Sequence, residues 1–292
     1  MPTLTPPTIE KVCEKALRLP CSPALLPRLA TALLSDDSSA SEIERLISLD
    51  ASLAAATLRL ANSAMFASRK VDSLEEAVLR LGAREIYRLA ALVMVNRWEA
   101  GVNLGKRWEP GDYSRHALCT AIAAEVLAEE TGRVNPPVAY TAGLVTDIGK
   151  LALAHSCSDF YDAIRERCEK TACTWDQAER EILGYNHVDA SVRLLLAWRF
   201  PENLIKCAEF MVRPTEAPEE VRALLANLLA AQYLATAMGP GVSEDGFLFN
   251  LHGDFLRESG FTPELIDKSM PIVLERAAAR LGDKLNQGAV TI

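Results

Sequence analysis

Apolar residues recur along this chain at helical spacing and rarely at alternate positions. In "IERLISLD", "SLAAATLRLANSAMF" and "LEEAVLRLG" they fall three and four apart, the period of an amphipathic helix and not of a strand. Start signals precede these runs. Ser22-Pro23 opens "SPALLPRLATALL", Ser39 and Glu42 form a capping-box pattern, and Ser73 and Glu76 form a second before a run that stops at Gly82. "AREIYRLAALVMVNRWEA" continues as a further helix, and the turn formers of "GVNLGKRWEPGD" predict a break between two helical lobes. The second lobe begins at "YSRHALCTAIAAEVLAEE". A helix opened by Asn135-Pro136 follows and leads into the apolar stretch "LVTDIGKLAL". Helices around 160–170 and 174–183, then "HVDASVRLLLAWRF" and "PEEVRALLANLLAAQYLATAM", complete it. "GPGVSEDGFLFNLHGD" reads as a loop-like insert, and Thr262-Pro263-Glu264 opens a last helix that reaches about Leu281 before a frayed end. The pattern predicts an all-α protein, a two-lobed helical bundle.

Composition narrows the function classes. The chain has 292 residues, enough for one large domain or two smaller ones. It carries 31 Lys+Arg against 39 Asp+Glu, a formal net charge of -8, with no long basic run, so DNA is not an expected partner. Seven cysteines without a CxxC pair predict free thiols in a reducing cytoplasm, not a zinc site. "MPTLTPPTIE" lacks the pattern of a signal peptide, and no uncharged apolar run reaches about 18 residues, so neither export nor a membrane span is expected. The expected location is cytoplasmic.

Four positions in the second lobe stand out: His116, Asp147, Lys150 and His187. Asp147 and Lys150 are three residues apart and would share one helix face. An unpaired carboxylate in so apolar a segment is costly, so Asp147 requires a partner, either Lys150 or a helix N-terminus. In the first lobe, Asn62 and Ser63 interrupt an apolar run. Asn tolerates left-handed backbone, and its amide can tie down a neighbouring loop, so a helix end is expected there in preference to a ligand contact.

Several of these segments resemble one family. "GLVTDIGKLAL" is similar to the "GLLHDIGKL" segment of HD-superfamily phosphohydrolases, and "YSRHALCTAIAAEVLA" to the helix that carries their first histidine. "LGYNHVDASVRLLLAWRFPENL" resembles the "GxxHxxxGxxLxxxWxLPxxL" segment of the HDOD (HD-related output domain) family. Leu26 to Ala67, with "LISLDASLAAATLRLANSAMFA", resembles that family's N-terminal region, and "SLEEAVLRLGAREIYRLA" the segment after it. The resemblance runs from about Leu19 to about Arg213. It implies an HDOD domain over 15–235, divided into an N-terminal helical lobe at 15–108 and an HD-like lobe at 109–235. Residues 236–292 are then a C-terminal helical extension.

Active HD enzymes hold metal with a first His, an adjacent His-Asp pair and a later Asp, and hydrolyse with a metal-activated water. By the resemblance, His116 matches the first His and Asp147 the Asp of the pair, but Thr146 stands in place of the pair's His. Asn227 stands near the place of the later Asp, and Phe210 and Met211 where many relatives carry "HH". His187 matches a second-metal position, and Lys150 a lysine that contacts substrate phosphate in HD-GYP relatives. The implied site, His116, Thr146, Asp147, Lys150, His187 and Asn227, is therefore vestigial. His116 and Asp147 alone are too few ligands for tight metal binding, no cofactor is expected, and Lys150 serves best as the counter-charge of Asp147. The resemblance implies a non-catalytic bacterial regulatory protein, standing alone, that acts in signal transduction through contacts with signalling proteins. Two alternatives stay open. One is a divergent metal-dependent phosphohydrolase with substitute ligands such as Glu179, Glu181 or Asp189. The other is a sensor of nucleotides or cyclic dinucleotides that binds phosphate through Lys150 and His187. In the C-terminal part, Phe247, Phe249, Leu251, Phe255 and Leu256 form either an exposed partner surface or, as preferred, a set packed back on the bundle. His155 and His252 belong to no ligand constellation.

Overall fold

The structure is a computed structural model. It describes residues 5–18, 25–34, 39–63, 66, 69–102, 109–239, 245–246 and 248–285. The Ser22-Pro23 start signal, Phe247 and the final residues lie outside the described set, as does most of the expected break after Gly101. The fold is all-α, and no strand occurs among the described residues.

Contacts divide the chain into two units, residues 21–98 and residues 1–20 with 99–292. In the first, α2 (Leu25–Leu34), α3 (Ala40–Ser48) and α4 (Ala51–Ala61) pack in succession. The start of α3 follows its sequence signal, with Ser39 Oγ accepting from Glu42 N at 3.2 Å, and Asp50, which carried no predicted start, caps α4 by accepting from Leu53 N at 2.9 Å. Asn62 ends α4. Its amide donates to Val71 O and accepts from Val71 N, both at 2.8 Å, so it clamps the returning loop as an internal surrogate for a strand neighbour. Its backbone is not left-handed (φ -97°), so only the loop-tying half of the expectation holds. α5 (Leu74–Ala100) starts at Ser73, whose Oγ accepts from Glu76 N at 3.1 Å, and is broken at Gly82, where φ is +74°. A side chain there would resist that φ, which is why the run stops at a glycine.

The second unit is built around α6 (Asp112–Thr131), which is buried on nearly every side from Tyr113 to Ala128. Its N-terminus is closed by a remote carboxylate. Glu99, 4% exposed, accepts from Gly111 N (2.9 Å), Tyr113 N (3.2 Å), Ser114 N (3.1 Å) and the Ser114 hydroxyl. A negative group at a helix start answers both the unpaired N–H groups and the helix dipole. Against α6 pack α7 (Pro136–Val145), α13 (Glu219–Met238) and α15 (Pro263–Leu285). α7 approaches closely because Gly143 faces it; a Cβ there would lie 2.7 Å from Ala121 Cα. α8 (Ile148–Cys157) packs on α11 (His187–Ala197). α9 (Tyr161–Thr171), α10 (Trp175–Leu183), α12 (Glu202–Phe210) and α14 (Gly253–Glu258) fill the periphery.

Two sequence bounds differ from the contact division. α1 (Ile9–Leu17), part of which the bounds assign to the N-terminal lobe, packs on α8 and α11 and buries Val12, Cys13 and Ala16 there. The described part of the C-terminal extension does not stand apart, since α15 lies along α6 in the same unit. Both docking partners are distant in sequence, so no local pattern marks them. α13 is long and apolar enough to match a membrane span, but 67% of its most apolar stretch is buried inside the bundle.

Candidate functional site

The stretch "LVTDIGKLAL" is not one helix. α7 ends at Val145 and α8 begins at Ile148, so Thr146 and Asp147 form the corner between them. Gly149 sets this corner against α11. A Cβ at Gly149 would lie 1.9 Å from His187 O and 2.6 Å from Ser191 N, and Gly149 N donates to Ser191 Oγ at 2.8 Å. The absent side chain thus brings Asp147 and Lys150 beside the first turn of α11, where His187 sits. His116 reaches the same place from α6, and Gln232 from α13. The result is a cleft of about 100 Å³ lined by His116, Asp147, Lys150, His187, Gln232 and Asp245, with Trp175 and Phe249 among its apolar walls.

The charges are matched from within. Lys150 Nζ lies 3.1 Å from Asp147 Oδ2 and 2.7 Å from Asp245 Oδ2, and all three side chains are largely buried. Gln232 Nε2 donates to the same Asp147 oxygen at 2.7 Å. Burial, the largest single effect, would raise the Asp147 carboxyl, but the charge and hydrogen bond of Lys150 together with the nearby His187 and His116 hold the group below the ordinary carboxylate value. Burial would likewise lower the Lys150 ammonium, and the two carboxylates instead raise it. His116 is pushed down, first by burial and then by Lys150, so it is neutral at physiological pH, and its Nδ1 is buried without a hydrogen-bond partner. His187 Nδ1 lies 2.6 Å from Glu179 Oε2, which also accepts from His187 N at 2.9 Å. Glu179 is itself fixed by Trp175 Nε1 at 3.0 Å. This buried carboxylate overcomes the desolvation of His187 and raises its pKa.

Five of the six sequence-selected residues have a place at or beside this cleft, and one does not. Thr146 is buried at the corner, and its hydroxyl donates back to Ala142 O at 2.8 Å, so it is committed to its own helix. Asn227 is fully buried but does not line the cleft; its amide donates to Ala124 O at 2.8 Å and joins α13 to α6. One and a half turns further along α13, Gln232 is the residue that reaches Asp147. The substitute ligands do other work. Glu179 orients His187, Glu181 pairs with Arg167 at the surface, and Asp189 accepts from Asn186 N at 2.9 Å in the cap of α11. Asp245 escaped sequence reasoning because it lies 95 residues beyond Lys150 in a segment with no motif. His252 lines the cleft as well, while His155 lies elsewhere, its carbonyl accepting from Lys15 Nζ. Of the C-terminal apolar set, Phe249 walls the cleft and Phe255 is buried under Arg222, but Leu251 is 47% exposed.

The sequence model of the HDOD domain matches residues 19–214, two thirds of the chain. The chain belongs to the HDOD family. Solved structures similar to this HDOD protein agree on the fold. One is an HDOD domain protein with unknown function from Geobacter sulfurreducens, 21% identical, with a TM-score of 0.73 over 93% of this chain and 96% of that one. A protein from Marinobacter aquaeolei VT8, provisionally named for signal transduction, is 22% identical, with a TM-score of 0.72 over 96% of this chain and 61% of its own. A protein from Shewanella amazonensis SB2B, provisionally named a phosphohydrolase, is 23% identical, with a TM-score of 0.60 over 89% of this chain and 97% of its own. An uncharacterized protein of Treponema pallidum (strain Nichols) is 25% identical over 240 residues, 78% of this chain; the chain spans 44% of that relative's length.

The resemblance of the motifs to HD phosphohydrolases implies a divalent ion, and the residues of this HDOD protein do not fit one. Thr146 offers no imidazole, and its hydroxyl proton is committed. Lys150 holds an oxygen of each carboxylate. Among the described residues, no three His, Cys, Asp or Glu side chains are placed to hold a metal.

Proposed function

We propose that this HDOD protein is a non-catalytic signal-transduction module that acts through contacts with other proteins. The observation that carries this reading is the corner Thr146–Asp147–Lys150. Its would-be ligand position is a threonine bonded to Ala142 O, and its carboxylate is neutralised by a lysine of the same segment. A centre for metal-assisted hydrolysis needs deprotonated ligands with free lone pairs and an open coordination position. The provisional signal-transduction name of the Marinobacter relative supports the same reading.

The nucleotide-sensor reading finds less support. A phosphate seated on Lys150 would meet the carboxylates of Asp147 and Asp245 within 3.1 Å of that ammonium. Two carboxylates already gathered around the same ammonium oppose the attraction it would offer an anion. The test is hydrolysis and binding on one sample. Purified protein is incubated with cyclic dinucleotides and an activated phosphodiester in the presence of Mn²⁺, Fe²⁺ or Mg²⁺. The expected result is turnover equal to the buffer control and no calorimetric binding at high micromolar nucleotide. Turnover that disappears in Asp147→Ala would establish the phosphohydrolase reading instead.

A further inference from the structure

The turn between α9 and α10 holds two free thiols. Cys168 lies in the last turn of α9 and is buried, while Cys173, just past the helix, is the one cysteine among the described residues that is not buried. Ala172 between them takes left-handed backbone, with φ +52°. A left-handed residue at a helix end turns the chain back, so that the residue after it packs against the helix's last turn. Cys173 is thereby carried back toward Cys168. Two observations agree with this placement. Cys168 Sγ donates to Thr174 O, the carbonyl of the residue next to Cys173, at 3.7 Å. Burial first, then the charge of Cys173 and the hydrogen bond shared with it, push the Cys168 thiol up to about 12. The same turn leads into a wall of the cleft, where Thr174 and Trp175 line it. Trp175 N donates to Leu248 O at 2.7 Å, and its ring meets Tyr161 of α9 edge-on at 5.6 Å. Trp175 Nε1 in turn holds Glu179, the partner of His187.

We propose that Cys168 and Cys173 form a reversible thiol switch, which hydrogen peroxide oxidises to a disulfide that loosens the cleft wall at Trp175. Cys173, the more accessible sulfur, meets the oxidant first. As a thiolate it takes one peroxide oxygen, the O–O bond breaks, and the other oxygen leaves as water with the thiol proton. Cys173 is then a sulfenic acid, and the thiolate charge that opposed ionisation of Cys168 is gone. The Cys168 sulfur attacks the Cys173 sulfur, the S–O bond breaks, and the hydroxyl leaves with the Cys168 proton as a second water. Two thiols have lost two electrons and two protons, and one peroxide has become two waters. A reducing dithiol reverses the change by thiol–disulfide exchange. Oxidation takes away the proton that Cys168 gives to Thr174 O and draws Cys173 toward α9. Thr174 heads the capping box of α10, with its N–H held by Gln177 Oε1 at 3.1 Å. Moving that cap pulls the next residue, Trp175, from Leu248 O.

The test treats the whole chain with hydrogen peroxide, as wild type, Cys173→Ala and Cys168→Ser. Thiols are counted in denaturant, tryptic peptides are mapped, and amide exchange is followed in the native state. Wild type should lose two of its seven thiols, gain a disulfide between the tryptic peptides 168–170 and 171–180, and regain both thiols in dithiothreitol. The Trp175 N–H should exchange roughly fivefold faster in the oxidised protein. Cys173→Ala replaces the less buried thiol and should fold; it should form no such link, and peroxide should leave its Trp175 exchange unchanged. Cys168→Ser keeps a donor for Thr174 O and should stop at a sulfenic acid on Cys173, which dimedone traps. Wild type that forms no link between 168 and 173 would overturn the proposal. So would a linked protein in which Trp175 exchanges no faster, or a peroxide effect on Trp175 that persists in Cys173→Ala. None of these readouts involves turnover, so they stand apart from the hydrolysis assay.

Discussion

At the scale of single residues, the cleft is governed by which polar group finds which partner. His187 and Glu179 form a buried pair whose strength depends on the imidazole proton. The folded pKa of His187 lies above its ordinary value of 6.5. The pair's contribution is therefore fully present below pH 6.5 and lost as the pH rises through the raised pKa. The denaturation midpoints of wild type and His187→Asn should differ more at about pH 6 than at about pH 8.5; an equal gap at both would show that the proton is not involved. His116 acts in the opposite sense, since its lowered pKa withdraws stability as pH falls below 6.5, and it is common to both proteins. In the other unit, Asn62→Ala removes both bonds to Val71 and leaves its N–H and C=O without that partner. Urea unfolding should show a loss of about 2 kcal/mol, and a loss below about 0.5 kcal/mol would mean that the loop finds water as readily.

At the scale of elements, the site depends on two close approaches and one remote cap. Gly149→Ala would put a methyl group into His187 O and Ser191 N, so α8 must move off α11. A loss of about 3 kcal/mol in urea unfolding is expected, the upper part of the range for overpacking. If the protein tolerates alanine with less than about 1 kcal/mol of loss, the seating of α8 against α11 is looser than the distances imply. Glu99→Ala would leave three N–H groups at the buried start of α6 without their acceptor. A destabilisation of about 3 kcal/mol follows from that many lost charge-assisted bonds, with early hydrogen exchange at Gly111 to Ser114 as its local signature. The sequence indicated where α4, α7 and the first part of α5 begin or end, because capping chemistry is local. It misread the α7–α8 junction as continuous helix, because Thr146 and Asp147 interrupt it without a glycine or proline to mark the break.

At the scale of the whole molecule, the first helix belongs with residues 99–292. Tyr185 Oη donates to Pro7 O at 2.7 Å, Lys15 Nζ to His155 O at 2.8 Å, and Arg193 pairs with Glu10 at 3.1 Å. With these go the buried side chains of Val12, Cys13 and Ala16. Removing residues 1–18 should therefore lower the melting temperature by roughly 5 °C or more. Native-state hydrogen exchange should rise in α8 and α11 while α3 and α4 stay as protected as before. Protection lost instead from α3 and α4 would place the first helix with the N-terminal lobe.

The sequence by itself determined the helical class, most helix starts, and the HDOD resemblance, because periodicity, caps and motifs are local properties of the chain. It also pointed to Asp147 and Lys150 as a pair, since three residues along a helical turn fix their separation. Tertiary structure alone decided the rest. Gln232 and Asp245 complete the pair because α13 and the segment before α14 converge on it, Asn227 is turned toward α6, and Glu179 serves His187 and not a metal. Charge balance in a buried cleft is settled by distances between segments far apart in sequence, and no spacing along the chain encodes those distances.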